Sequence, residues 1–161
     1  MAHEAVERAA AALSQQATIR GVLETACREL TDALAASACV ISRVVGDLLV
    51  GLVEQSRDVE RRLDLGHEYL ISEYPLTQEV IERNEARTVS LLDEEPEPNE
   101  AELLQKLGFE SLLMVCLPSG GGCWGLVEAY ADGKRFEDTD ATLAEQIAHV
   151  TGEQLARLGE G

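Results

Sequence analysis

The sequence predicts an α+β fold: an antiparallel sheet of five or six strands, backed by helices from both ends of the chain. Three observations carry this. The stretch Gly108–Tyr130 reads GFESLLMVCLPSGGGCWGLVEAY, in which two apolar runs, Leu112–Leu117 and Cys123–Tyr130, flank Pro118-Ser119-Gly120-Gly121-Gly122, the composition of a hairpin connection. A second pair of β-rich runs, Ala38–Val45 and Leu48–Gln55, is joined by the tight-turn pair Gly46-Asp47. Amphipathic helical patterns lie towards the two chain ends, around Ile19–Leu34 and Leu143–Leu158.

The elements follow in order. Ala2–Gln16 reads as an alanine-rich helix with a narrow seam of Val6, Ala10, Leu13 and Ala17. Alone it buries too little to be stable, so it needs the C-terminal helix or a second subunit as partner. Thr18 is an N-cap candidate for the next helix, whose Ile19, Val22, Leu23, Ala26, Cys27, Leu30 and Leu34 recur at three- and four-residue steps. After the first hairpin, Ser56–Asp64 is a charged loop or short helix, and His67–Ile71 alternates weakly as a strand. Pro75 opens a short helix through Glu82, because its missing N–H costs nothing in a first turn. Arg87–Leu92 is a brief strand, and the acidic, proline-rich Asp93–Pro98 is an exposed loop. Asn99 is the expected N-cap of a helix Glu100–Leu107 that Gly108 stops.

In the central hairpin, Leu112, Met114 and Cys116 share one strand face, and Leu113, Val115 and Leu117 share the other. Neither face is polar, so the strand is expected to be buried on both sides. The following strand alternates small residues (Cys123, Gly125, Val127, Ala129) with larger ones (Trp124, Leu126, Glu128, Tyr130). The small face suits a close-packed helix, and the half-polar face can hold a small molecule. Leu143, Ile147, Val150, Leu155 and Leu158 give the last helix its stripe, within which Gly152 either weakens the helix or permits close helix–helix contact.

Composition sets bounds on function. One domain is expected from 161 residues with 45% hydrophobic content. A formal net charge of -17 repels phosphate backbones and anionic membrane surfaces, so neither nucleic acid nor membrane is expected as a partner. The N-terminus lacks the basic start and apolar core of a signal peptide, which points to a cytoplasmic protein. Cys27, Cys39, Cys116 and Cys123 lack CxxC spacing and sit in apolar patterns, so all four are expected as reduced, buried thiols.

From Pro75 onward the chain resembles a GAF domain, the sensory relative of the PAS fold. The residues carrying this are Pro75-Leu76-Thr77-Gln78-Glu79-Val80, Gly108-Phe109-Glu110-Ser111-Leu112-Leu113-Met114-Val115, Gly125-Leu126-Val127-Glu128 and Arg135-Phe136-Glu137-Asp138-Thr139-Asp140. With the first helix and hairpin the resemblance spans about Thr18–Leu158, leaving residues 1–17 as a helical extension before a domain at 18–158. It implies a bacterial signalling module with the terminal helices on one sheet face and a crossover of short helices, here Arg57–Gly108, on the other. Its pocket would lie between sheet and crossover, and the two strands carrying Arg43 and Glu128 would be neighbours.

Candidate pocket residues are therefore Arg43, His67, Tyr69, Met114, Trp124, Glu128 and Tyr130. Arg43 and Glu128 are charges in apolar strands: a cross-strand ion pair at a sheet rim, or two polar anchors beside Trp124, Met114 and Tyr130. Cyclic-nucleotide-binding relatives carry a signature that Lys134, Phe136 and Asp140 echo, but Ala141 stands where a glutamate is required, and a core plug with a helix cap accounts for these residues better. Haem would need a ligand such as His67 or His149, neither in a metal-binding pairing, and a covalent bilin would need a pocket cysteine in a recognisable setting. No cofactor, metal site or catalytic residue is assigned. The expected function is a non-catalytic sensor of an unidentified small molecule, acting through a homodimer of terminal helices on an output protein. The alternatives are a dimerisation scaffold with a self-filled pocket and, through Cys116 and Cys123, a thiol-dependent methionine sulfoxide reductase.

Overall fold

A computed structural model describes residues 2–58 and 68–159. Their order is α1 (Ala2–Ser14), α2 (Ile19–Ala33), β1 (Ala38–Val45), β2 (Leu48–Ser56), β3 (Glu68–Leu70), a 3₁₀ turn (Ile71–Glu73), α3 (Pro75–Arg83), β4 (Arg87–Ser90), α4 (Pro98–Leu107), β5 (Ser111–Ser119), β6 (Gly122–Ala131) and α5 (Asp138–Arg157). The six strands form one antiparallel sheet in the order β3-β2-β1-β6-β5-β4. The two predicted hairpins thus lie side by side, with β1 and β6 joined at the centre.

Each sheet face carries its own apolar cluster. On one, Leu113, Val115, Leu117, Ile41 and Val127 pack against Leu13 of α1, Val22 and Leu30 of α2, and Ile147 and Leu155 of α5. On the other, Leu112, Met114, Cys116, Leu126 and Tyr130 meet Ile71, Val80 of α3 and Leu104 of α4. β5 therefore feeds both clusters, the burial its two apolar faces demand.

Local chemistry sets most boundaries. The Thr18 hydroxyl accepts from the Gly21 amide at 3.0 Å, capping α2. Glu137 and Asp140 form a reciprocal capping box at the start of α5. Gly108 ends α4 in the left-handed region at φ 82°. The hairpin connection is shorter than its composition implied. Gly120 and Gly121 take φ of 65° and 81° as a two-residue turn, and Pro118 and Ser119 join β5. α4 starts at Pro98 rather than Glu100, because the Glu97 carboxylate reaches the Glu100 amide at 2.7 Å and Pro98 fills the first helical position. The Asn99 side chain, expected as the cap, instead donates to the Glu73 carbonyl at 2.7 Å.

One packing expectation changes and another is resolved. Gly152 lets α5 approach the backbone of the β5–β6 hairpin, not another helix: a Cβ there would collide with the Pro118 carbonyl. α1 finds its partners within the chain, burying Ala5, Ala9 and Leu13 against α5 and α2. The buried seam is displaced from the predicted one, leaving Val6 and Ala10 half-buried and Ala17 exposed. Alanine spacing lets the helices approach closely, and Arg8 on α1 reaches Glu29 on α2 at 3.6 Å.

Candidate functional site

Strand register places one row of side chains across the crossover face of the sheet. Val40 pairs with Glu128, Glu128 with Met114, and Met114 with Arg87. Cross-strand partners share a face, so Glu128 lies among the apolar residues that α3 and α4 cover. The Tyr130 hydroxyl donates to Glu128 Oε2 at 2.9 Å, and the Tyr130 ring lies against Phe109 with centroids 5.3 Å apart. From above, α3 presents Thr77, whose hydroxyl donates to Glu100 Oε1 of α4 at 2.5 Å and sits 3.3 Å from Met114 Sδ. Two polar pairs, Glu100–Thr77 above and Glu128–Tyr130 on the sheet, thus lie on either side of Met114 in an otherwise apolar layer.

The electrostatics of this layer are unusual. Glu100 is 1% exposed, and its Oε2 is buried with no hydrogen-bond partner. Glu128 is 8% exposed. Burial pushes its pKa up to about 7, the charge of Glu100 adds to this, and the Tyr130 hydroxyl partly offsets it. Burial also raises Glu100, against the pull of the Thr77 hydroxyl. Tyr130 is driven upwards by burial and by Glu128. At the edge of the layer Tyr69 and Tyr74 meet edge to face at 6.0 Å.

Of the predicted pocket residues, Met114, Glu128 and Tyr130 come together here, with Tyr69 packed against the same cluster. Arg43 and Trp124 do not join them. Arg43 pairs with Gly125 in register, three residues from the Val40–Glu128 pair, and an odd offset points it to the helical face. Its guanidinium stacks over Trp124 at 4.4 Å and donates to the Trp124 carbonyl at 2.9 Å. The expected Arg43–Glu128 ion pair is therefore not formed. Trp124 belongs to the helical cluster because the β5–β6 register shifts after Leu117: Leu117 pairs with Gly125, but Pro118 with Cys123, leaving Trp124 as the extra residue of a bulge. His67 lies outside the described residues.

The same bulge corrects the cysteine expectation. It turns Cys123 onto the face of Cys116, and the two form a disulfide with Cα atoms 5.7 Å apart. Cys27 of α2 and Cys39 of β1 remain free and buried. Lys134 donates to the Leu34 carbonyl at 2.7 Å, Phe136 is buried in the helical cluster and Asp140 serves the capping box, so all three are engaged in holding the fold. His149 is surface-exposed, 3.8 Å from Glu153.

Glu100 and Thr77 were missed in the sequence although a signal existed. Glu100 stands four residues before Leu104 and seven before Leu107, on the buried stripe of α4. Thr77 likewise precedes Val80 and Ile81 on the stripe of α3. Clefts open elsewhere on the described surface. One of about 550 Å³ lies between the β5–β6 turn, the end of α3 and α5. Another of about 420 Å³ lies between the 3₁₀ turn and α4. A third of about 490 Å³ lies between the starts of α1 and α5.

Solved structures share this architecture. The chromophore-binding domain of a Stigmatella aurantiaca bacteriophytochrome aligns with a TM-score of 0.81 at 18% identity over 96% of this chain and 60% of that one. That of the R. palustris bacteriophytochrome RpBphP3 gives 0.82 at 14% identity over 98% and 62%. A far-red absorbing dark state of JSC1_58120g3 with bound biliverdin gives 0.81 at 15% identity over 96% and 99%. The chain thus spans about 60% of the first two structures, and the likeness is one of fold. No curated protein matches the sequence. The sequence model of the GAF domain matches residues 18–155, nearly the whole chain, and the protein belongs to the GAF domain family.

Proposed function

We propose that this GAF domain is a non-catalytic sensory module whose small-molecule ligand seats between the crossover face of the sheet and α3–α4. The observation that carries this is the pair of buried carboxyls, Glu100 and Glu128, without a counter-ion among the described residues. Folding alone does not favour burying them, because burial penalises the charged form unless something pairs with it. Buried acids with perturbed titration cluster at binding sites, which supports this reading. Biliverdin bound in a structure of this fold adds support for a ligand, though identity near 15% carries the architecture and not the pigment.

In this reading the terminal helices carry the signal to an output partner. α1, α2 and α5 pack on the reverse of the strands that hold Glu128 and Met114, so a shift in the sheet reaches them directly. A homodimer formed on the α1–α5 surface, where Val6 and Leu143 border a groove, would make that shift legible to a partner.

Native mass spectrometry of freshly purified protein, before and after denaturation, tests the sensor reading. A bound mass of a few hundred daltons that is lost on denaturation and diminished by Glu128→Gln is expected. A bound mass unaffected by changes at Glu100, Glu128 and Tyr130 places the ligand elsewhere and refutes the reading. One observation favours a dimerisation scaffold instead: Leu112, Met114 and Leu126 are 1%, 0% and 0% exposed, so this face is densely filled by its own side chains. That reading predicts no bound mass and a dimer that persists.

A further inference from the structure

We infer that the ligand of the crossover face is a small organic cation, a protonated amine held between the Glu100 and Glu128 carboxyls. This rests on the reading that the face holds a ligand, and it names the ligand's chemical class.

The geometry of Glu100 is the starting point. Its backbone amide is satisfied by the Glu97 carboxylate at 2.7 Å, so its own side chain is not needed as a cap and turns inward. There one oxygen takes the Thr77 hydroxyl, and the other is buried without a donor. Buried polar atoms in folded proteins are nearly always paired, so this oxygen marks a missing donor. Glu128, lying within electrostatic reach, has one oxygen on the Tyr130 hydroxyl.

The protein supplies cations to its acids elsewhere. Glu29, also buried, has Arg8 at 3.6 Å and Arg28 at 4.0 Å. Beside the crossover, Arg87 is committed to Glu79 and Glu85, and Lys106 to Glu102. Among the described residues no such partner reaches Glu100 or Glu128, the two acids that share the apolar layer. An anion is repelled once either carboxyl ionises, and a neutral ligand offers nothing that favours the ionised pair. An ammonium group brings three donors and the balancing charge at once. The rings of Tyr130 and Phe109, with Tyr69 and Tyr74 at the edge, supply faces suited to a cationic or aromatic ligand. A hard metal ion is a poorer fit, since it seeks six or more oxygens. No group of three or more His, Cys, Asp or Glu side chains among the described residues is arranged to hold one.

The test is a thermal-shift and calorimetric titration of the full chain with methylamine, butylamine and phenethylamine, each beside the alcohol and the carboxylic acid of the same skeleton. At least one amine is expected to bind once per chain, about tenfold or more tighter than its alcohol, with the acid not binding. Glu100→Gln and Glu128→Gln are each expected to weaken the amine by about tenfold or more. Glu102→Gln, on the exposed side of the same helix, should leave it unchanged. Either buried variant suffices if the other fails to fold. An alcohol or acid that binds as well as its amine overturns the inference, as does failure of all three amines at millimolar concentration. Binding of calcium, magnesium or zinc alone that is lost in the Gln variants also overturns it. If an uncharged or anionic molecule co-purifies at this face, the ligand-binding reading stands and the cation inference falls. If neither an amine nor a co-purified molecule binds, both fall.

Discussion

Glu128 links stability to the proposed function. Its carboxyl is buried and its pKa is raised from the ordinary 4.5 to about 7, chiefly by burial and then by the charge of Glu100. A raised folded-state value means that the folded chain holds a proton which the unfolded chain has already lost above pH 4.5. Stability is therefore greatest below that value and falls as pH rises towards and past 7, by roughly 3 kcal/mol for this group. Glu128→Gln keeps an acceptor for the Tyr130 hydroxyl and removes the charge. Its melting temperature should match the parent near pH 5 and exceed it at pH 8, measured by calorimetry. Equal melting temperatures at both pH values would show that Glu128 is not strained by its surroundings. A gain in stability accompanied by loss of ligand is the trade-off expected of a binding residue.

Among the elements, the β5–β6 hairpin carries the most consequence. The Trp124 bulge sends one aromatic residue to the helical face and brings Cys123 beside Cys116, so one irregularity sets two features. The disulfide closes a short loop, with a sequence separation of 7. Reduction should therefore lower stability by about 2 kcal/mol through the entropy of the unfolded chain. Calorimetry with and without reductant checks this, and Cys116→Ala with Cys123→Ala should remove the reductant effect. Thiol-dependent reduction of methionine sulfoxide that disappears in the same double variant would establish the catalytic alternative. On the other side of the sheet, Leu13 is 1% exposed beneath α5 and α2. Leu13→Ala should cost about 3 kcal/mol in chemical denaturation, because α1 is packed into the core. A change close to zero would return α1 to the role of a detachable appendage.

The whole molecule carries a net charge of -17 on 161 residues, so its surface repels itself and any second copy. Moderate salt screens that repulsion over about 10 Å. The proposed homodimer should consequently tighten as salt rises from low to physiological strength, as read by sedimentation at tens of micromolar. A monomer at both ionic strengths would remove the dimer and leave the α1–α5 surface without a role in association.

What the sequence determined by itself was the set of local decisions. Periodicity, caps and turns are short-range properties, so α2 behind Thr18, the glycine-bounded hairpins and the doubly buried β5 were legible before any contact was known. The family resemblance rested on the same local motifs, and it held over residues 18–155. Tertiary structure decided facing and partnership. Alternation put Trp124 on the face of Glu128, and the resemblance set Arg43 and Glu128 on neighbouring strands as an ion pair or as two anchors, but one bulge and a register offset of three residues moved Trp124 and Arg43 to the helical face. Glu100 and Thr77 lie 23 residues apart on different helices, and only packing over Met114 brings them into one site. Faces follow from counting along a chain only while the ladder is regular, and a buried acid becomes visible as a site only when the fold shows what it lacks.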